Sequence, residues 1–183
     1  EFIALIALII LVVLLHRLLP SKGKVGEKRV ASILKKLPED SYKVINDLLL
    51  SSNGYSTQID HIVISIYGIF VIETKFYQGW IYGGENSEYW TQNIYGNKYR
   101  LRNPIHQNQG HPSIKIPLKD YGNIPYISIV AFSRQASLGI DALTPVIYWD
   151  QIPRIINQFE TRVLSESQIQ SIYNILLANN NGD

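Results

Sequence analysis

The stretch from Gln58 to Gly79, QIDHIVISIYGIFVIETKFYQG, constrains this chain more than any other. Most of it is Ile, Val, Phe and Tyr, the composition of strands buried on both faces. Asp60, Glu73 and Lys75 sit inside it, and a buried charge is costly unless it is paired or bound to a metal. A two-residue turn at Tyr67-Gly68 sets Ile66 opposite Ile69, Asp60 opposite Lys75 and Ile62 opposite Glu73. Opposite residues share a face, as do residues two apart on one strand. Asp60, Glu73 and Lys75 then converge on one face at one end of the hairpin, in any register that is not slipped by one. Two readings follow. Lys75 neutralises one acid in an ion pair at a sheet edge, or the surplus carboxylate is answered by a divalent cation. Hard cations such as Mg²⁺ take oxygen ligands and commonly combine one or two carboxylates with substrate phosphate.

The surrounding pattern reads as an α/β or α+β domain with one core. GEKRVASILKKLP carries Val30, Ile33, Leu34 and Leu37 at helical spacing and stops at Pro38. YKVINDLLL reads as a strand, and GWIYGGENSEYWTQNIYGNKYRLRNP as short aromatic strands broken by Gly and Asn. Asn103 caps a helix with Pro104 in its first turn, which Gly110 and Pro112 break early. YISIVAFS and TPVIYW read as strands, and DQIPRIINQF and SESQIQSIYNILLAN as closing helices. In the last of these, Ser165 and Gln168 have capping-box spacing, and Ile169, Ile172, Ile175 and Leu176 make the apolar face.

Ahead of this domain, Phe2 to Leu15 is an unbroken apolar run followed by the basic HRLLPSKGK. A membrane span needs about 20 residues, so the span is expected to continue upstream of Glu1. No small-residue cleavage site follows, which argues against a signal peptide. The reading is a transmembrane helix over residues 1–19, a basic linker over 20–26 and a folded domain over 27–183. Seven Lys and Arg lie between His16 and Lys36 against one acid, Glu27. The positive-inside rule then gives a single-pass membrane protein whose domain faces the cytoplasm. With no Cys in the chain, disulfides and thiolate metal sites are excluded. His106 and His111 have no partner at a convincing spacing for zinc, and no serine–histidine constellation or Walker-type loop is present. His61 alternates to the face opposite Asp60 and is read as structural. Trp80, Trp90 and Tyr95 suit either base stacking or a core.

IDH followed by GIFVIETK resembles the nuclease-related domain (NERD) family, placed with the PD-(D/E)xK nucleases alongside restriction enzymes and Holliday-junction resolvases. The resemblance runs from Gly23 to about His111. It includes GKVGE at Gly23 to Glu27, Gly68, FYQGWIYG at Phe76 to Gly83, Trp90 with Gln92, and NPIHQN at Asn103 to Asn108. Gly110-His111-Pro112 departs from the uninterrupted helix such a family would place there. The resemblance implies a restriction-endonuclease-like core, a mixed central sheet flanked by helices. It implies that Asp60 and Glu73 bind Mg²⁺ or Mn²⁺ with the Thr74 carbonyl, and that Lys75 orients the attacking water. Glu27 would add a carboxylate through water or a second ion. Lys28, Arg29, Lys35, Lys36, Gln92 and Gln107 are candidates to contact nucleic acid. The function so implied is a membrane-anchored, metal-dependent nuclease acting on DNA ahead of RNA. The alternative is a non-catalytic module that binds nucleic acid or protein at the membrane.

Overall fold

The computed structural model describes residues 6, 21–52, 55–109, 114 and 117–180. A five-stranded sheet forms the centre, in the order β1-β2-β3-β7-β9. Its strands are β1 (Tyr42–Ser52), β2 (Tyr55–Ser65), β3 (Gly68–Lys75), β7 (Tyr126–Phe132) and β9 (Val146–Tyr148). The first three pair antiparallel, while β7 adds parallel to β3 and β9 parallel to β7. Helix α1 (Lys22–Leu34) and the short α3 (Ile152–Ile156) cover one face, and α4 (Glu166–Ala178) covers the other. Alternate residues of β2 and β3 feed the two layers. Ile62, Ile64, Ile69 and Val71 face α4, whereas Val63, Phe70 and Ile72 face α1 and α3. That two-sided burial is why the opening stretch is so apolar. The α/β class, with a mixed central sheet flanked by helices, is as the sequence indicates.

A second sheet, β6-β5-β4-β8, comprises β4 (Gly79–Gly84), β5 (Tyr89–Ile94), β6 (Asn97–Arg102) and β8 (Ala136–Asp141). Two crossings tie it to the first. Ser133 N donates to the Lys75 carbonyl at 3.0 Å, and Ser133 Oγ donates to the Tyr77 carbonyl at 2.8 Å. Helix α2 (Pro104–Gln109) lies against β7 and β3. Asn108 Nδ2 donates to the carbonyls of Val71 and Ile129, fastening α2 across the β3–β7 seam.

Two differences from the sequence reading have identifiable causes. The segment read as a basic linker over 20–26 supplies the first turns of α1, because Ser21 Oγ caps Lys24 N at 3.3 Å. Gly26 is tolerated inside that helix because the helix passes close to the sheet there: a Cβ would meet Trp149 at 3.1 Å and Thr74 at 3.3 Å. β8 was not read as a strand; it is held by its parallel pairing with β4, a contact no local pattern announces. The membrane helix expected over 1–19 lies outside the described residues apart from Ile6. Among the described residues no helix is long and apolar enough to cross a membrane.

Candidate active site

The β2–β3 hairpin turns at Ile66-Tyr67, with Ser65 paired to Gly68 and His61 to Ile72. Continuing that register brings Asp60 opposite Glu73, not opposite Lys75 as the turn at Tyr67-Gly68 implies. Gly68 belongs to the strand because the chain passes close to Pro125 there. Its φ is 134°, and a Cβ would meet the Pro125 carbonyl at 2.8 Å. Ser65 Oγ closes the turn by accepting from Tyr67 N at 3.0 Å and donating to the Gly68 carbonyl at 3.1 Å. A shift of two keeps every side chain on its face. The convergence of Asp60, Glu73 and Lys75 therefore survives the change of register.

The charges are arranged as a crowded acidic pair with one cation. Asp60 Oδ2 accepts from the Thr74 N–H at 2.7 Å, and Lys75 Nζ meets Glu73 Oε1 at 2.6 Å. The Lys75 and Glu73 side chains are only 16% and 13% exposed, so little water screens them. Burial, with Glu73 alongside, pushes the Asp60 carboxyl up to about 6 despite the Thr74 hydrogen bond. Glu27 reaches the same cleft from α1 and pairs with Lys24 at 3.2 Å. Lys24 also meets Asp47 at 3.1 Å. Asp47 stands at φ 56° in β1, interrupting the ladder at the point that faces Asp60. The sequence reading passed over Asp47, whose one signal is an acid in the middle of a strand pattern.

Two concavities meet at the acids. One, of about 520 Å³, is lined by Lys22, Glu27, Asp60, Glu73, Thr74, Lys75 and Gln92. The other, of about 590 Å³, shares Asp60 and Glu73 and adds Gln58, Arg102, His106 and Gln107. The candidates Glu27, Asp60, Glu73, Thr74, Lys75, Gln92 and Gln107 are thus brought together. Lys28 and Arg29 on α1, and Lys35 and Lys36 just past its end, are exposed and line neither cleft. Lys22, which the sequence reading leaves in the basic linker over 20–26, lines the first cleft, and the sequence reading does not single out Arg102 and His106 for the site. Among the described residues no group of three His, Asp or Glu closes into a ready-made metal cluster. The donor set still fits a hard cation: two carboxylates whose mutual repulsion favours a proton on one of them are the environment a divalent ion relieves.

The remaining candidates sort by burial. His61 is buried on the opposite face, its Nδ1 2.7 Å from Asn46 Oδ1. Burial pulls its imidazole down to about 4, so it is neutral and structural. Trp90 is buried against Phe132 and donates to the Gly84 carbonyl at 2.9 Å, which makes it core. Gln92 Nε2 satisfies the Gln78 carbonyl at 2.8 Å at the cleft wall. Asn103 caps α2 through Ile105 N at 2.9 Å while its amide ties down the Gly84–Ser87 turn.

The profile of the nuclease-related domain family matches residues 22–133, a span that holds every cleft residue named above. An uncharacterized protein of Bacillus anthracis is 38% identical over 165 residues, covering 87% of this chain and 77% of that protein. No solved structure matches the chain.

Proposed function

The chain belongs to the nuclease-related domain family, and from that premise we propose that it is a divalent-metal-dependent nuclease hydrolysing phosphodiester bonds, of DNA ahead of RNA. The observation that supports this most is the acidic pair Asp60–Glu73, half-buried in one cleft with a single lysine on Glu73. Asp60, Glu73 and the Thr74 carbonyl are the groups that would hold Mg²⁺ or Mn²⁺, which supplies a polarised phosphoryl oxygen and a water acidic enough to attack near neutral pH. Lys75 orients the attacking water and offsets charge developing on the phosphate. Glu27, on the facing wall, adds a carboxylate through water. Above pH of about 6 Asp60 gives up its proton and is free to take a cation. Lys22 and Gln92 border the same cleft, where they would hold the phosphate chain. The segment over residues 1–19, apolar from Phe2 to Leu15, anchors the chain in a membrane, with the domain in the cytoplasm. Cleavage of the domain by protease added to intact cells would overturn that placement.

One observation favours a rival. The Lys75–Glu73 pair at 2.6 Å is also what a non-catalytic binding module would keep. The full chain incubated with labelled DNA or RNA separates the two. The nuclease cuts with Mg²⁺ or Mn²⁺ and stops when a chelator is added. Lys75→Ala then loses cleavage by about a hundredfold or more while its thermal midpoint stays near wild type. Binding without cleavage under any of these ions would establish the module.

A further inference from the structure

The first cleft has a neighbour on its other side. Gln78 and Ile94 line both that cleft and a groove of about 730 Å³ that also carries Trp80, Asn93, Tyr95 and Ser137. Trp80 is 69% exposed and Tyr95 fully exposed. Tyr95 stands at φ 48° and Gly96 at φ 92°, in the turn between β5 and β6 that pairs Ile94 with Asn97. Two successive positive φ values make the tight hairpin turn that Asn or Gly adopts at least cost. A bulky ring in that position works against the stability of the turn and gains no burial in return. Backbone strain of this kind clusters at ligand clamps and active sites.

The face around the groove has the chemistry of a nucleotide strand. In one row of the sheet Trp80 on β4 lies beside Asn93 on β5, and Asn93 beside Lys98 on β6. In the next, Tyr82, Thr91 and Arg100 repeat the order of ring, polar group and cation. Aromatic rings stack on bases of any sequence, and a row of Lys and Arg tracks phosphates. We propose that the Trp80–Tyr95 groove is a subsite for an unpaired base of the strand whose phosphate lies at Asp60 and Glu73, so that the site selects single-stranded over duplex nucleic acid. A base inside a duplex already has both faces stacked and cannot use the groove. The assignment of the phosphate rests on the nuclease reading, but the stacking does not. Trp, Tyr and basic residues also suit an anionic membrane surface. The rows carry Asn, Thr and cations where a surface that enters lipid would carry aliphatic side chains, which favours the strand.

The test is the affinity of the full chain for a labelled oligothymidylate and for a duplex of the same length, measured with chelator present so that nothing is cut. Trp80→Ala and Tyr95→Asn are each expected to weaken single-strand binding by about tenfold and to leave duplex binding unchanged. Asn suits φ 48°, so Tyr95→Asn should keep or raise the thermal midpoint while losing affinity, a combination that a structural role for the ring does not produce. Unchanged single-strand affinity, or equal losses on duplex, overturns the subsite. So does quenching of Trp80 by brominated phosphatidylserine with no effect of Trp80→Ala on strand affinity. A preference for single strands that needs both rings, in a chain that never cuts with Mg²⁺, would leave the subsite standing and remove the catalytic reading alone.

Discussion

Asp60 and His61 are neighbours in the chain and opposites in titration. Asp60 is pushed up to about 6, so its folded-state proton is held more tightly than in the unfolded chain. Its contribution to stability is complete below the unfolded value near 3.8 and is lost as pH rises through about 6. His61 is pulled down to about 4, so its contribution is present above 6.5 and is lost as pH falls through about 4. The two slopes oppose each other across the shared window of roughly pH 4 to 6, each worth at most about 3 kcal/mol. Metal-free wild type should therefore show a nearly constant denaturant midpoint over that window. Asp60→Asn removes one slope and exposes the other, so its midpoint should fall toward acid. Parallel profiles for the two proteins would refute this. The strand period of two makes this sorting legible in the sequence, with Asp60 toward the site and His61 toward the core. Asn46 as the partner of His61 is not legible, since it sits on β1 across a ladder whose register no local pattern fixes.

Among the elements, α1 has the narrowest tolerance. Gly26 lets it lie against Trp149, Thr74 and Phe76, and the next residue, Glu27, is thereby presented to the cleft. Gly26→Val would force the helix off the sheet, costing about 2 kcal/mol as overpacking does. Differential scanning calorimetry should show the lowered midpoint, and metal-dependent cleavage should fall with it if α1 places Glu27. A midpoint unchanged from wild type would mean that the helix finds room. The sequence pattern supplies the amphipathic stripe of Val30 and Leu34, both fully buried. It misses the helix start, because two glycines and two lysines read as a linker until their contact with β3 is known. The same limit shifted the hairpin register by two. Tyr67-Gly68 looks like a turn by composition, and only the approach of Pro125 shows that Gly68 is strand.

At the scale of the molecule, the legible part of the site is the part made by one stretch of chain. Asp60, Glu73 and Lys75 come from adjacent strands joined by a tight turn, so their convergence can be worked out from spacing alone. Lys22, Arg102 and His106 arrive from three other elements, α1, β6 and α2, whose approach to the hairpin no local pattern announces. The local origin of the acidic pair also fixes when it appears in time. β1, β2 and β3 form an antiparallel meander, whereas β7 reaches β3 only after β4, β5, β6 and α2 have intervened in the chain. Contacts close in sequence form early, and parallel pairings between distant segments form late. Asp60 and Glu73 therefore repel each other from the moment the hairpin closes, before the rest of the domain has buried them. The site acts as a brake on folding itself, and interactions already made at the barrier appear in the folding rate, leaving the unfolding rate nearly untouched. Stopped-flow chevrons at neutral pH should show Asp60→Asn raising the refolding arm by the share of the penalty that is repulsion from Glu73, and lowering the unfolding arm by the share that is later burial. An effect confined to the unfolding arm would mean that the hairpin closes after the barrier has been crossed.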